Sequence, residues 1–351
     1  MKNKKLLFRI SAAVIACVLI AGIIFTAVFT TRQSVRINTV KAEAHTTARG
    51  MCTVEVSSGR ILYEKNSTAQ LPMASTTKVV TAITVLENCE DIEQIIRVDD
   101  RAIGIEGTSI YLQRGEELTV RELLLGLMLR SGNDAAAALA LYISPTDADT
   151  SRNEIFDGFS EKMQQIAAKA GAVSSSFKNP HGLDEEGHYT TARDLALISA
   201  YAMKNPVFAE IVATKSAQIS GVEYPRVLNN KNRLLKTMQS CVGVKTGFTK
   251  KSGRCYVGAV AKNGMTVVCV VLNCGPMFEE AAALMEQADR EFTMKQVIAK
   301  DEFVCDMRGI AREDFFYPLR EGEAVNVVCK GGNVCVEFNG ERVYCAPYNK
   351  F

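Results

Sequence analysis

The hydrophobic period of this 351-residue chain changes from two to 3.6 and back again, and that order restricts the folds open to it. Cys52, Val54 and Val56 alternate, Ser58-Gly59 turns, and Ile61-Leu62-Tyr63 follows, which predicts a hairpin. From Ser75 the pattern is helical, with Val79, Val80, Ile83 and Leu86 on one side. Thr119-Val120-Arg121-Glu122 reads as a capping box opening an apolar helix through Leu129, and Ser131-Gly132-Asn133 interrupts it before an Ala-rich helix over 134–142. An amphipathic helix over 154–170 closes at Gly171, and Thr191-Ala192-Arg193-Asp194 caps another that stops near Pro206. Residues 242–245 then read as short and extended, and residues 255–261 and 265–272 form a hairpin around Asn263-Gly264. A helix over about 278–298 follows. Strands from both ends of the chain have to share one antiparallel sheet, with the helices between them, so the fold class is α+β.

The length suits one large domain and a smaller one. The expected divisions are an N-terminal membrane anchor or signal segment (1–30), a polar linker (31–48), a main domain (49–298) and a small β-rich C-terminal module (299–351). Gly331-Gly332 and Asn339-Gly340 are the module's turn signals. A formal net charge of +2 gives no sign of a nucleic-acid partner. Lys2, Lys4, Lys5 and Arg9 precede an apolar run over 10–29. A run of ~20 apolar residues matches a bilayer core, and the leading basic residues place the rest of the chain outside the cytoplasm. A cleaved signal is the alternative, with an A-x-A-like site at Ala42-Glu43-Ala44, but the apolar part of such a signal is usually ~7–15 residues. The retained anchor is the favoured reading. Of eleven cysteines, ten lie outside that run. Cys269 with Cys274, or Cys329, Cys335 and Cys345 among themselves, are candidate pairs; buried thiols are the other reading. No spacing suggests a metal site.

Three short motifs carry chemistry. In Ser75-Thr76-Thr77-Lys78 the serine and lysine stand three apart, which on a helix is one face, so Lys78 can reach the Ser75 hydroxyl. A serine is a weak nucleophile until a base takes its proton, and a lysine does so only when neutral. Burial and a nearby cation favour that state, and Lys245 is a candidate neighbour. In Ser131-Gly132-Asn133 a break between helices can present Ser131 to a cleft as a proton relay, while Asn133 holds Lys78 and a substrate amide. In Lys245-Thr246-Gly247 a cation and a hydroxyl at a strand end suit a carboxylate, and Gly247 admits a substrate backbone. The N–H groups of Ser75 and Phe248 are candidate oxyanion donors. Alone, each motif more often marks a solvated helix face, a helix cap or a charged strand edge.

In this order the trio is S-x-x-K, S-x-N and K-T-G. With Leu62-Tyr63-Glu64-Lys65-Asn66, Gly107-Thr108-Ser109-Ile110-Tyr111-Leu112, Asn179-Pro180-His181-Gly182-Leu183-Asp184 and Gly243-Val244-Lys245-Thr246-Gly247-Phe248-Thr249, it resembles the serine-type D-alanyl-D-alanine carboxypeptidases, the low-molecular-weight penicillin-binding proteins, over about residues 50–290. The resemblance implies a β-lactamase/transpeptidase-like fold: an antiparallel sheet flanked by helices, an all-helical subdomain and a small β-rich module. It implies removal of the terminal D-alanine from peptidoglycan pentapeptides through a Ser75 acyl-enzyme. Lys78 is then the base, Ser131 an assistant in proton transfer, and Asn133, Lys245, Thr246, Gly247 and Phe248 the substrate contacts. No cofactor or metal is expected. The expected partners are the peptidoglycan stem, β-lactams as acylating inhibitors, and a membrane through the N-terminal segment, at the extracytoplasmic face.

One departure from the pattern bears directly on the site. Many relatives carry an Arg after the last long strand; here the loop reads Gly275-Pro276-Met277-Phe278, so the carboxylate grip rests on Lys245 and Thr246, or partly on Arg254. A serine β-lactamase of the same fold is the first rival, with Glu154 and Glu161 in the relevant stretch but in no recognisable motif. A penicillin-binding sensor without turnover is the second. His181 and His188 are read as structural loop residues.

Overall fold

A computed structural model describes residues 46–145, 147, 149–220 and 225–350. The N-terminal apolar run, the A-x-A-like site and most of the linker lie outside the described residues. Among the described residues no single helix is long and apolar enough to cross a membrane.

In chain order the strands are β1 (Gly50–Glu55), β2 (Ile61–Lys65), β3 (Ile95–Arg97), β4 (Glu117–Thr119), β5 (Ser216–Ile219), β6 (Arg226–Asn229), β7 (Cys241–Thr249), β8 (Gly253–Lys262), β9 (Met265–Leu272) and β10 (Phe292–Ile298). The helices are α1 (Thr77–Asn88), α2 (Val120–Leu125), α3 (Asn133–Ile143), α4 (Arg152–Lys169), α5 (Ala192–Met203), α6 (Pro206–Ala213), α7 (Leu234–Thr237) and α8 (Met277–Glu291). The main sheet has the antiparallel order β2-β1-β9-β8-β7, so both ends of the helical stretch do meet in one sheet. Its central strands are buried on both faces. Cys52, Val54, Val257, Val268 and Val270 join the core under α1 and α5, while Met51, Tyr256, Val267, Cys269 and Val271 join a second core under α8. Strand alternation sends neighbouring residues to these two layers, which is why β9 reads as a continuous apolar run.

Local signals set many boundaries. Thr119 and Glu122 form the expected capping box, a second box of Ser151 and Glu154 opens α4, and Thr191 accepts from the Asp194 N–H. Asn263 and Gly264 take positive φ in the β8–β9 turn. Other elements differ from the sequence reading. Pro206 does not merely end a helix: capped by Asn205, it starts α6. The helix expected through Ile298 ends at Glu291, because residues 292–298 pair with the strand Phe315–Arg320. A partner that far along the chain overrides a local helical period.

The strands beyond β10 form small antiparallel sheets with two disulfides, Cys305–Cys329 and Cys335–Cys345. Cys335 thus pairs with a partner open to it in the sequence reading, Cys329 bonds Cys305 instead, and Cys269 and Cys274 stay buried thiols. Arg60, in the turn between β1 and β2, joins these strands to the main sheet. It is buried, with Nη2 2.8 Å from Glu323 and Nη1 donating to the Pro318 carbonyl. Its guanidinium lies over the rings of Phe292, Tyr317 and Phe338. Arg60→Ala leaves Glu323 without its buried cation and is expected to cost about 3 kcal/mol in urea unfolding. Arg60→Lys, which lacks the planar fork, should recover only part of that loss.

Candidate active site

Ser75 sits in a tight turn, Ala74–Thr76, directly before α1. Ala74 has φ 49°, a left-handed value an alanine rarely adopts, so the surroundings have to hold it. Thr76 Oγ1 donates to the Met73 carbonyl at 2.6 Å and Thr77 Oγ1 to the Ala74 carbonyl at 2.8 Å. The 179–184 loop presses on the same turn. A Cβ on Gly182 would stand 2.0 Å from the Ala74 oxygen, and Gly182 itself has φ 85°. Asn179 Oδ1 fixes the loop by accepting from the Gly182 N–H at 2.8 Å, and Thr81 of α1 donates to the Pro180 carbonyl at 2.6 Å.

Lys78 lies one turn beyond Ser75 and is fully buried. Its Nζ is 2.9 Å from Ser75 Oγ and 2.7 Å from Asn133 Oδ1, and it also donates to the His181 carbonyl. Burial first, and then the charges of Lys245 and Lys231, hold its pKa well below the ordinary lysine value, while Asp134 acts weakly in the other direction. Asn133 is held in turn: its N–H donates to the Thr108 carbonyl at 2.7 Å and its Nδ2 to the Glu106 carbonyl at 2.5 Å. Asp134 secures that loop by accepting from the N–H groups of Ile110 and Leu112, each at 3.1 Å. Ser131 ends a π-helical turn over Gly126–Arg130 and has φ 66°; this distortion separates α2 from α3 where the sequence suggested a break.

Lys245 is buried on β7, with Nζ on the Thr246 carbonyl at 2.9 Å. Burial and then Lys231 lower its pKa to about 7. Gly247 lets β7 lie against the serine turn: a Cβ there would be 3.1 Å from the Met73 oxygen and from the N atoms of Ser75 and Thr76. Thr249 Oγ1 donates to Asp184 Oδ1 at 3.0 Å and ties the strand end to the 179–184 loop. Phe248 is exposed. Ser75, Lys78, Asn133 and Lys245 thus converge, and Gly247 touches the turn. Arg254 stands away from Lys245, opposite Phe248 on the neighbouring strand.

Three contributors were given no role in the site by the sequence. Lys231, in an Asn-rich loop, sends Nζ to Thr108 Oγ1 at 3.4 Å and bears electrostatically on both buried lysines. The His181 carbonyl and the Asp184 link come from the 179–184 segment, which the resemblance includes but which suggested neither contact. The histidines are structural as expected. His188 Nδ1 accepts from the Lys178 N–H, which leaves Nε2 to face Thr77 Oγ1 at 3.0 Å. Burial, then Lys78, lowers His181 to about 3 and His188 to about 4, so both are neutral at pH 7. Glu154 is consumed by its capping box, and it and Glu161 stand on the exposed face of α4.

The fold is that of penicillin-binding proteins and DD-transpeptidases. The crystal structure of the Streptomyces K15 DD-transpeptidase matches with a TM-score of 0.63 and 30% identity, over 71% of this chain and 98% of that one. A D-alanyl-D-alanine carboxypeptidase DacD from Francisella tularensis has the same fold at 21% identity, with a TM-score of 0.69 over 92% of this chain and 97% of its own. The family profile described as D-alanyl-D-alanine carboxypeptidase matches residues 37–275, and the chain belongs to that family of serine peptidases. It is 29% identical over 293 residues to the carboxypeptidase DacF of Bacillus subtilis, covering 81% of this chain and 73% of the relative. It is 32% identical to DacB2 of Mycobacterium tuberculosis, covering 66% and 78%.

Gly182→Ala should displace the Ala74 turn, because backbone rather than a flexible side chain stands in the way. The expected result is a stability loss on the order of 2–4 kcal/mol, read by thermal unfolding, together with slower covalent labelling by fluorescent penicillin.

Proposed function

We propose that Ser75, Lys78 and Ser131 carry the hydrolysis of D-alanyl-D-alanine peptides, and that Asn133, Lys245, Thr246, Gly247 and Phe248 hold the substrate. The carrying observation is the contact between Ser75 Oγ and the buried Lys78 amine, at 2.9 Å, in surroundings that favour the neutral amine. On this reading Lys78 takes the Ser75 proton as Oγ attacks the carbonyl of the penultimate D-alanine. The N–H groups of Ser75 and Phe248 receive the oxyanion. The C–N bond breaks as a proton passes through Ser131 to the leaving D-alanine amine. Water then attacks the Ser75 ester, giving a proton to Lys78, which returns it to Ser75 Oγ as the ester C–O bond breaks and the shortened peptide is freed.

The family acts outside the cytoplasm on the cell wall. For this chain we place the enzyme at the outer face of the bacterial membrane, held by residues 1–30. A β-lactam meets Ser75 in place of the peptide and leaves a slowly released ester.

The test uses the full chain in detergent, with fluorescent penicillin and a pentapeptide ending in D-alanyl-D-alanine. A slowly released adduct and free D-alanine are expected, and Ser75→Ala should abolish both. Lys78→Ala should slow acylation by ~10²–10⁴-fold, the usual worth of a positioned base. Rapid penicillin turnover would instead indicate a lactamase, and labelling without D-alanine release a sensor.

A pH profile tests the two lysines. The proposed active form has Lys78 neutral and Lys245 charged. Then kcat/KM should rise as Lys78 loses its proton at its lowered pKa and fall as Lys245 loses its own at about 7. Lys245→Arg keeps the charge as pH rises, so the alkaline limb should move upward; an unmoved limb would assign it to another group.

A further inference from the structure

A carboxypeptidase substrate presents a free carboxylate one residue beyond the scissile bond, and this cleft needs a durable cation to receive it. Lys245 is a poor sole partner. Its amine is buried and engaged by the Thr246 carbonyl, and with a pKa near 7 it is charged only part of the time at neutral pH. The loop after β9, Gly275-Pro276-Met277-Phe278, contains no cation of its own.

The register of the sheet places an arginine on β8, one strand in from the open edge of β7. Thr246 pairs with Tyr256, and Phe248 with Arg254, so the side chains of Thr246, Phe248 and Arg254 leave the same face. Thr246 and Arg254 are diagonal neighbours, ~7–8 Å apart along such a pair, within reach of an arginine side chain. β7 is the last strand of the sheet, so a ligand on its edge meets that face directly. Arg254 is exposed, and among the described residues it forms no ion pair. Its guanidinium makes one long hydrogen bond, 3.4 Å, to the Gly275 carbonyl. A bond at that distance is weak and costs little to exchange for a carboxylate.

We infer that Arg254 swings from the Gly275 carbonyl to bind the terminal carboxylate of the substrate, with the Thr246 hydroxyl beside it. The inference rests on the proposed docking of a D-alanyl-D-alanine peptide along β7. Arginine keeps its charge across the working pH range and presents a fork that matches both carboxylate oxygens. Lys231, near Thr108, is the competing cation.

The experiment compares a peptide ending in D-alanyl-D-alanine with a thioester acyl donor that lacks the carboxylate, for the full-length wild type, Arg254→Gln, Arg254→Lys and Lys231→Gln. The readout is the ratio of kcat/KM for the two donors. Arg254→Gln should lower that ratio by ~10- to 100-fold, the size of a charge-assisted contact, and Arg254→Lys should restore part of it. An unchanged ratio, equal losses on both donors, or a selective loss confined to Lys231→Gln would overturn the inference. Wild-type protein that releases no D-alanine would remove the underlying reading and this inference with it. Wild-type turnover with an unaffected Arg254→Gln ratio would remove this inference alone.

Discussion

The Lys78 amine is the point on which the cleft is built. A fully buried ammonium loses several kcal/mol of hydration. The protein meets that amine with acceptors from three separate parts of the chain: Ser75 Oγ, Asn133 Oδ1 and the His181 carbonyl. None of these is a carboxylate. A carboxylate in direct contact would hold the proton on the amine, whereas neutral acceptors satisfy it and leave the proton removable. Asp134 is one residue from Asn133, yet its carboxyl is occupied by the N–H groups of the 110–112 segment. It supports the acceptor without neutralising the base.

That requirement accounts for much of the surrounding strain. Two non-glycine residues have positive φ here: Ala74, which adjoins Ser75, and Ser131, itself a motif residue. Gly182 and Gly247 allow backbone to crowd the serine turn from two directions. Such features persist where neighbouring structure over-determines them. The two-layer sheet does so here. β7 is pinned through β8 to β9, whose buried residues alternate between the cores under α1 and α8. The Thr249–Asp184 bond then fixes the glycine loop to the same strand.

What was legible in the sequence follows from this division. Caps, the Asn263-Gly264 turn, the alternation of β1 and the apolar run of β9 are local patterns, and they located most elements. The S-x-x-K spacing placed Ser75 and Lys78 on one helix face because three residues is nearly one turn. Pairing between distant segments left no local mark. Residues 292–298 carry apolar positions compatible with a helix and become a strand only because residues 315–320 lie beside them. Lys231 looked like one more loop lysine, and a backbone carbonyl such as that of His181 has no sequence signal at all. The family pattern supplied order where single motifs were ambiguous, but not the carbonyls and loop contacts that set the electrostatics.

The cleft has two buried lysines, and like charges in a low-dielectric space discourage each other's ionisation. Lys78 is depressed by burial and then by Lys245 and Lys231, and Lys245 by burial and then by Lys231. A neutral Lys78 therefore makes a charged Lys245 easier to keep, and the reverse. On the proposed roles this coupling is useful, since base and anion holder need opposite protonation states. It also limits the anion holder, because a lysine depressed far enough to spare its neighbour is an unreliable cation near neutral pH. A cation outside the buried pair does not share that limit. Arg254 is exposed on the strand next to β7, where its charge costs little, and it is not among the charges that act on Lys78. Dividing the work in this way separates the pKa of the base from the strength of carboxylate binding.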